Sequence, residues 1–323
     1  MATAKMIPKE MRAAAMDHFG SPDVVHTEKL PVPKLGKHDI LVRVRTAGVG
    51  KWDPALVDGS FQDVKPRFPR VLGSDGAGTV AAVGDAVEDF AVGDRVYGWG
   101  FGNPKGGFFA EYAAVGERDV APIPETLSFE EAGALAVSGI TALQGLEHLE
   151  LDAGERIMIF GASGGVGHIA LQLAKRMGLE VFAIASKPDG VALAKRLGAD
   201  FVAEGHDRAL ARQLHDFASE GFDGALVFAG ASGWKRELAC VADGGRVAWP
   251  NGVEPVPSLP AGIEGIPYDG EESPKAFARL NELVSQDRFH VELSRTYPLD
   301  DAAQALRDVK KHHVGKLAIE IRA

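Results

Sequence analysis

Hydrophobic and polar positions change rhythm once along the chain. From Ala13 to about Ile123 the apolar residues come in short runs broken by Gly, Pro and Asp. In Ile40–Arg45, Ile40, Val42 and Val44 share one face and Arg43 and Arg45 the other, the period of two that marks a half-buried strand. Thr79–Val83, Arg95–Tyr97 and Ala110–Val115 repeat the texture. Many short strands with few helical periods predict a small barrel-like β domain.

After Pro122 and Pro124 the rhythm lengthens. Ser128 followed by Glu131 is a capping box, predicting a helix that runs toward Ala136. Apolar strands then alternate with amphipathic helices, the pattern of a parallel sheet with crossover helices. The predicted strands are Arg156–Phe160, Glu180–Ala185, Phe201–Val202, Gly224–Ala229, Arg246–Trp249 and Ile263–Ile266, six members of a doubly wound sheet. Ser273-Pro274 starts another helix, continuing to about Gln286. Asp300 is expected to cap a last helix through Ala303, Leu306 and Val309, and Lys316–Ile321 reads as a closing strand that returns to the β domain. The division that follows is 1–127 with 269–323 for the β-rich domain and 128–268 for the parallel-sheet domain.

Composition narrows the class. The 323 residues are 46% hydrophobic and 25% charged, enough apolar surface for two cores and too much for a disordered chain. Lys and Arg number 35 against 45 Asp and Glu, and the cations are scattered, which argues against nucleic acid as a partner. One cysteine, Cys240, can form neither an internal disulfide nor a thiolate-rich zinc site, and its isolation fits a reducing, cytoplasmic setting. Met1–Met11 has no apolar core of a signal peptide, and Ile157–Ala174, interrupted by Ser163, His168 and glycines, is no membrane span.

The sharpest chemical signal is Ile157–Gly167, where a buried strand feeds Gly161-Ala162-Ser163-Gly164-Gly165-Val166-Gly167. A helix with Ile169, Leu173 and Met177 on one face follows and stops at Gly178. Glycines there let the chain turn tightly and let a pyrophosphate approach the backbone, while free amides at the helix start face the phosphates. The spacing is one residue longer than G-x-G-x-x-G, and a plain strand-to-helix turn is the simpler alternative. About 20 residues on, the second strand ends in Ser186-Lys187, without the Asp or Glu that holds an unphosphorylated ribose. A hydroxyl and a cation suit a 2′-phosphate, so the expected cofactor is NADP(H). A solvated loop lysine is the plainer account of Lys187, and Asp189 lies close by.

Several further motifs stand in order along the chain: Phe68–Gly78, Val92–Gly98, Gly107–Tyr112, Ser138–Ala142 and Gly315-Lys316. With the glycine turn they resemble the medium-chain dehydrogenase/reductase superfamily over about residues 11–323. The longer turn is the form typical of its quinone oxidoreductase branch. The resemblance implies an α/β protein with a GroES-like β-rich catalytic domain, a doubly wound parallel-sheet Rossmann domain, and a homodimer joined through the strand near Ile263–Ile266. It also implies that Ser138 and Thr141 lie beside the nicotinamide, with Ala229-Gly230 and Pro250-Asn251 flanking its ribose and carboxamide.

Zinc-dependent members of the superfamily carry a Cys and a His where this chain has Gly50 and Ser74, and no four-Cys lobe follows Tyr97. No metal is therefore expected. His312-His313 reads as a solvated helix end and His168 as a packing residue. What remains is direct hydride transfer to a small-molecule electrophile, a quinone or an α,β-unsaturated carbonyl compound. Gly50, Trp52 and Asp53, with Trp99 and Phe101, are the candidate substrate wall, since Trp and Phe offer flat apolar surfaces. Packing between the domains accounts for those aromatics equally well. No catalytic acid is identifiable. Asp53 could donate a proton only if burial raised its pKa considerably, and a turn-capping Asp is the blander account. The competing function is an NADPH-binding structural or redox-sensing protein with little turnover. A methyltransferase using the same turn fits the motif order poorly.

Overall fold

The Ile40–Arg45 alternation lies inside an eleven-residue strand, Asp39–Val49, in the computed structural model, which describes residues 7–61, 67–230 and 234–322. Residues 1–6, part of the segment read for a leader, lie outside the described residues. In chain order the strands are β1 Glu10–Met16, β2 His26–Pro31, β3 Asp39–Val49, β4 Arg70–Val71, β5 Asp75–Val83, β6 Arg95–Trp99, β7 Tyr112–Gly116, β8 Val120–Pro122, β9 Arg156–Phe160, β10 Glu180–Ala185, β11 Phe201–Glu204, β12 Phe222–Val227, β13 Val241–Pro250, β14 Glu264–Tyr268, β15 Leu293–Pro298 and β16 Lys316–Glu320.

The chain divides into two compact units, 1–137 with 272–278 and 293–323, and 138–271 with 279–292. Residues 279–292, which the sequence reading left with the β-rich domain, fall in the second unit for an identifiable reason. Gln172 donates to the His290 carbonyl and accepts from its amide, at 2.9 and 3.0 Å, and Arg176 donates to the Leu283 and Asp287 carbonyls.

In the first unit, β2-β1-β4 form a three-stranded sheet and β15-β16-β3-β5-β6-β8 a larger one, with β7 paired to β3. Ile40, Val42 and Val44 point into one core with Val80, Val96, Phe108, Phe109, Leu317 and Ile319. The closing strand does return to this sheet, β16 lying antiparallel to β3 with Leu317 opposite Val49. β5 begins at Asp75, four residues earlier than the alternation suggested, because its first turn is made of small residues with no apolar signal.

In the second unit all six strands are parallel, in the order β11-β10-β9-β12-β13-β14, a doubly wound sheet. Phe182 anchors its core, stacked on Phe201 at 4.9 Å and edge-on to Phe217 and Phe222.

Two helix expectations change. The Ser128 capping box forms, but its helix spans only Phe129–Ala132 and a new one starts at Ala136, because the chain turns at Gly133 where it meets the Thr46 backbone of β3. Asp300 caps no helix. It pairs with Arg12 at 2.5 Å inside the short turn Leu299–Asp301, and the last helix is Ala302–Asp308.

Candidate functional site

In the second unit the chain leaves β9 at Phe160 and turns through residues 161–166 into the helix Gly167–Arg176. Gly161 has φ +74°, and a Cβ on Gly167 would fall 2.1 Å from the Gly161 carbonyl oxygen, so the turn closes only with glycine at both places. Gly161 and Ala162 donate to the Ile184 carbonyl of β10, both at 3.0 Å, fixing the turn to the sheet. Among the described residues the amides of Gly165, Val166 and Gly167 find no backbone acceptor, no side chain caps the helix, and its first turn holds no acid. Free amides at a helix start are an arrangement that can accept a phosphate group. Ser163 is buried, and its hydroxyl leaves no room for a Cβ on Gly190. His168 is a satisfied packing residue, with Nδ1 2.8 Å from the Gly164 carbonyl and Nε2 accepting from Glu292 N at 3.2 Å.

The other sequence-predicted cofactor residues of this unit sit at strand ends or on the helix Ala136–Leu149. Ser186 and Lys187 follow β10 directly and are exposed, and Lys187 opens the helix Lys187–Arg196 with φ +57°. Asp189, two residues on, accepts a hydrogen bond from Gly190 N at 2.9 Å. Ala229 and Gly230 follow β12, the Ala229 carbonyl taking the Trp234 indole proton at 2.7 Å. Pro250 ends β13, and Asn251 beyond it donates to Asp269 at 2.8 Å. Ser138 and Thr141 are buried one helical turn apart. Tyr268 Oη donates to the Thr141 carbonyl at 2.8 Å, which locks that turn against β14.

In the first unit Gly50, Trp52 and Asp53 come together at the start of the helix Asp53–Asp58. The Trp52 indole lies over Gly50 so closely that a Cβ there would fall 2.2 Å from it. Trp52 Nε1 is buried without a hydrogen-bond partner among the described residues. Asp53 does cap its turn, accepting from Gly50 N at 2.8 Å, and it also accepts from Ser74 Oγ at 2.7 Å. Burial pushes its carboxyl up to about 6, the Gly50 and Ser74 hydrogen bonds opposing the rise. Trp99 faces Asp75 across β6 and β5, and Phe101 meets Trp99 edge-on at 6.4 Å and Phe61 at 5.3 Å.

Three residues of this unit were not singled out from sequence. Asp75 is fully buried; its Oδ1 accepts from Val137 N at 2.5 Å and its Oδ2 from Lys316 Nζ at 3.2 Å. Lys316 is buried as well, with its ammonium 5.0 Å from the Trp52 ring centroid. Arg70 lines a cleft with Ser74. An acid embedded in the small-residue run Leu72–Gly78, and a lysine opening an apolar strand, are the signals that could have marked the first two, since neither is buried without a partner.

A glycine-rich strand-to-helix turn on a doubly wound sheet, in a chain that also carries a β-rich unit with polar groups buried under aromatics, is the architecture of two-domain oxidoreductases of a nicotinamide-dependent class. Residues 36–125 match the alcohol dehydrogenase GroES-like domain and residues 165–250 the family described as zinc-binding dehydrogenase. The rat (Rattus norvegicus) quinone oxidoreductase is 30% identical over 322 residues, covering 96% of each chain. The 2-methylene-furan-3-one reductase of Solanum lycopersicum is 33% identical over 252 residues, 76% of this chain and 63% of that one. A solved mycobacterial protein complexed with NADPH superposes with a TM-score of 0.81 at 25% identity, over 96% of this chain and 99% of that chain. The chain belongs to the medium-chain dehydrogenase/reductase superfamily and is quinone oxidoreductase-like. No helix among the described residues is long and apolar enough to cross a membrane.

Proposed function

We propose that the chain is an NADPH-dependent, zinc-independent reductase of quinones or α,β-unsaturated carbonyl compounds. The observation that carries this reading is the state of the two positions where zinc-dependent members hold ligands. Gly50 has no side chain and lies under the Trp52 indole, and the Ser74 hydroxyl is committed to Asp53 at 2.7 Å. A zinc ion needs thiolate, imidazole or carboxylate donors converging on one point, which this pair does not supply. Among the described residues the trio that converges in that way is Asp17, just after β1, with His26 and Glu28 on β2.

The cradle formed by the amides of residues 165–167 would hold the diphosphate of the cofactor, and Ser186 with Lys187 would hold the 2′-phosphate of NADP(H). The solved NADPH complex and the missing carboxylate at the end of β10 support that choice. When bound, the reduced nicotinamide supplies a hydride, and a proton from water completes the two-electron reduction of the acceptor. Trp52, Trp99 and Phe101 offer flat apolar surface for a conjugated acceptor. Asp53, held ionised at neutral pH by two donors, keeps Ser74 and the Gly50 turn in place.

Following absorbance at the reduced-nicotinamide band while adding a quinone, then an enone, then an aldehyde, tests the reading. Oxidation of NADPH in preference to NADH, unchanged by a chelator, is the expected result. Binding of NADPH with no oxidation by any acceptor would transfer the weight to a structural or redox-sensing role, and loss of turnover with chelator would overturn zinc independence.

A further inference from the structure

A shallow, partly open cleft lies within the first unit, lined by Leu56, Arg70, Ser74, Asn103 and the backbone of several glycines. Its polar side chains are almost all committed. Ser74 gives its proton to Asp53. The Asn103 amide donates to the Gly106 and Ala114 carbonyls, both at 2.9 Å, and its oxygen accepts from Lys105 N at 3.0 Å. Arg70 is the exception. It is half-buried, and no hydrogen bond or ion pair joins its guanidinium to another described residue. Burial pulls its pKa down, and the one charge that acts against this is Asp53.

A partly desolvated guanidinium carries five donors in a fixed plane, and here none of them is met by a described protein group. The group that matches this fork is a carboxylate, taken through two parallel hydrogen bonds. A single negative charge fits better than a doubly charged phosphate, because Asp53 is close enough to repel the second. Leu56 gives the open side of the cleft an apolar wall against which the body behind the charge would lie. We infer that this cleft receives the carboxylate of an anionic acceptor on Arg70, so that the substrate class is a quinone or enone bearing a carboxylate. This rests on the reductase reading above.

The test compares cinnamaldehyde with 4-carboxycinnamaldehyde, using NADPH, on the wild type, Arg70→Gln and Arg70→Lys. The wild type should have the lower KM for the carboxylated enal. In Arg70→Gln that KM should rise about tenfold or more with kcat nearly unchanged, as loss of a charge-assisted hydrogen bond implies. The neutral enal should change less than about threefold, which also reports that the variant is folded, and Arg70→Lys should recover part of the loss. No preference in the wild type, or an equal change for both enals, overturns the assignment. If neither enal is reduced, a quinone with NADPH decides the reductase reading separately, and saturation-transfer NMR with 4-carboxycinnamaldehyde alone decides Arg70. A signal in the wild type that is lost in Arg70→Gln supports it, while equal signals or none in either protein overturn it.

Discussion

Ser74 Oγ and Asp53 Oδ1 stand 2.7 Å apart with both side chains buried, and the hydroxyl donates to the carboxylate. The serine occupies the position where zinc-dependent relatives carry a ligand, so a partner that could orient a metal-bound residue instead fixes a neutral hydroxyl at the edge of the Arg70 cleft. The arrangement has a thermodynamic consequence. Burial raises the Asp53 carboxyl from 3.8 in the unfolded chain to about 6, so between those values the folded state holds more protons than the unfolded one. Its contribution to stability therefore falls as pH rises from about 4 to 6 and stays level above.

Asp53→Asn should remove that slope. The difference in unfolding free energy between variant and wild type, measured by urea denaturation at intervals from pH 4 to 8, should move in the variant's favour by up to about 3 kcal/mol across the window, the equivalent of roughly two pKa units. A pH-independent difference would show that Asp53 titrates near its unfolded value.

Lys187 combines exposure with a left-handed backbone, φ +57°, at the first residue of its helix. For a lysine that conformation costs on the order of 1 kcal/mol, and such outliers concentrate at binding sites. Lys187→Ala should raise KM for NADPH about tenfold and alter that for NADH less than about threefold, the signature of a lost 2′-phosphate contact. Lys187→Gly should lose the same discrimination while its Tm holds or rises, because glycine relieves the backbone. Equal effects on the two cofactors would remove Lys187 from the phosphate site.

The parallel sheet was legible because its strands are mostly short apolar runs that alternate with amphipathic helices. Ile157–Phe160 and the glycines after it announce both element and purpose. Residues whose roles depend on distant partners were not legible. Asp75 and Lys316 are 241 positions apart and meet only because β16 pairs with β3 and β3 with β5. Asp53 showed its turn-capping role from local sequence, but its complete burial, which raises its pKa, comes from tertiary packing that the local sequence does not show. Arg70 sits in a two-residue strand with no period to read, so neither its burial nor its cleft could be inferred.

β14 pairs with β13 along one side, and among the described residues its other side carries no strand partner. An uncovered edge is a ready template for pairing with a second copy. The twofold dimer implied by the family resemblance would use this edge, so sedimentation equilibrium at micromolar concentration should return twice the monomer mass. A monomer at that concentration would overturn the proposal.

The Asp75–Lys316 pair offers the sharpest stability test of the first unit. Both side chains are buried, the ammonium is 3.2 Å from Asp75 Oδ2, and the Trp52 ring covers it at 5.0 Å. Lys316→Met keeps most of the packing volume but leaves a buried carboxylate facing only the Val137 amide, which should cost about 3–5 kcal/mol. Asp75→Asn in the same chain should return part of that loss, because an amide oxygen still accepts from Val137 N while no charge remains to be neutralised. The double-mutant cycle should therefore show coupling well above 1 kcal/mol. Trp52 fluorescence supplies an independent readout, since loss of the cation over the ring should shift its emission in Lys316→Met and in the double variant alike. A single-variant cost below about 1 kcal/mol would mean that water or another group takes the place of the ammonium, and the pair could then not be the element that holds β16 and Trp52 in register.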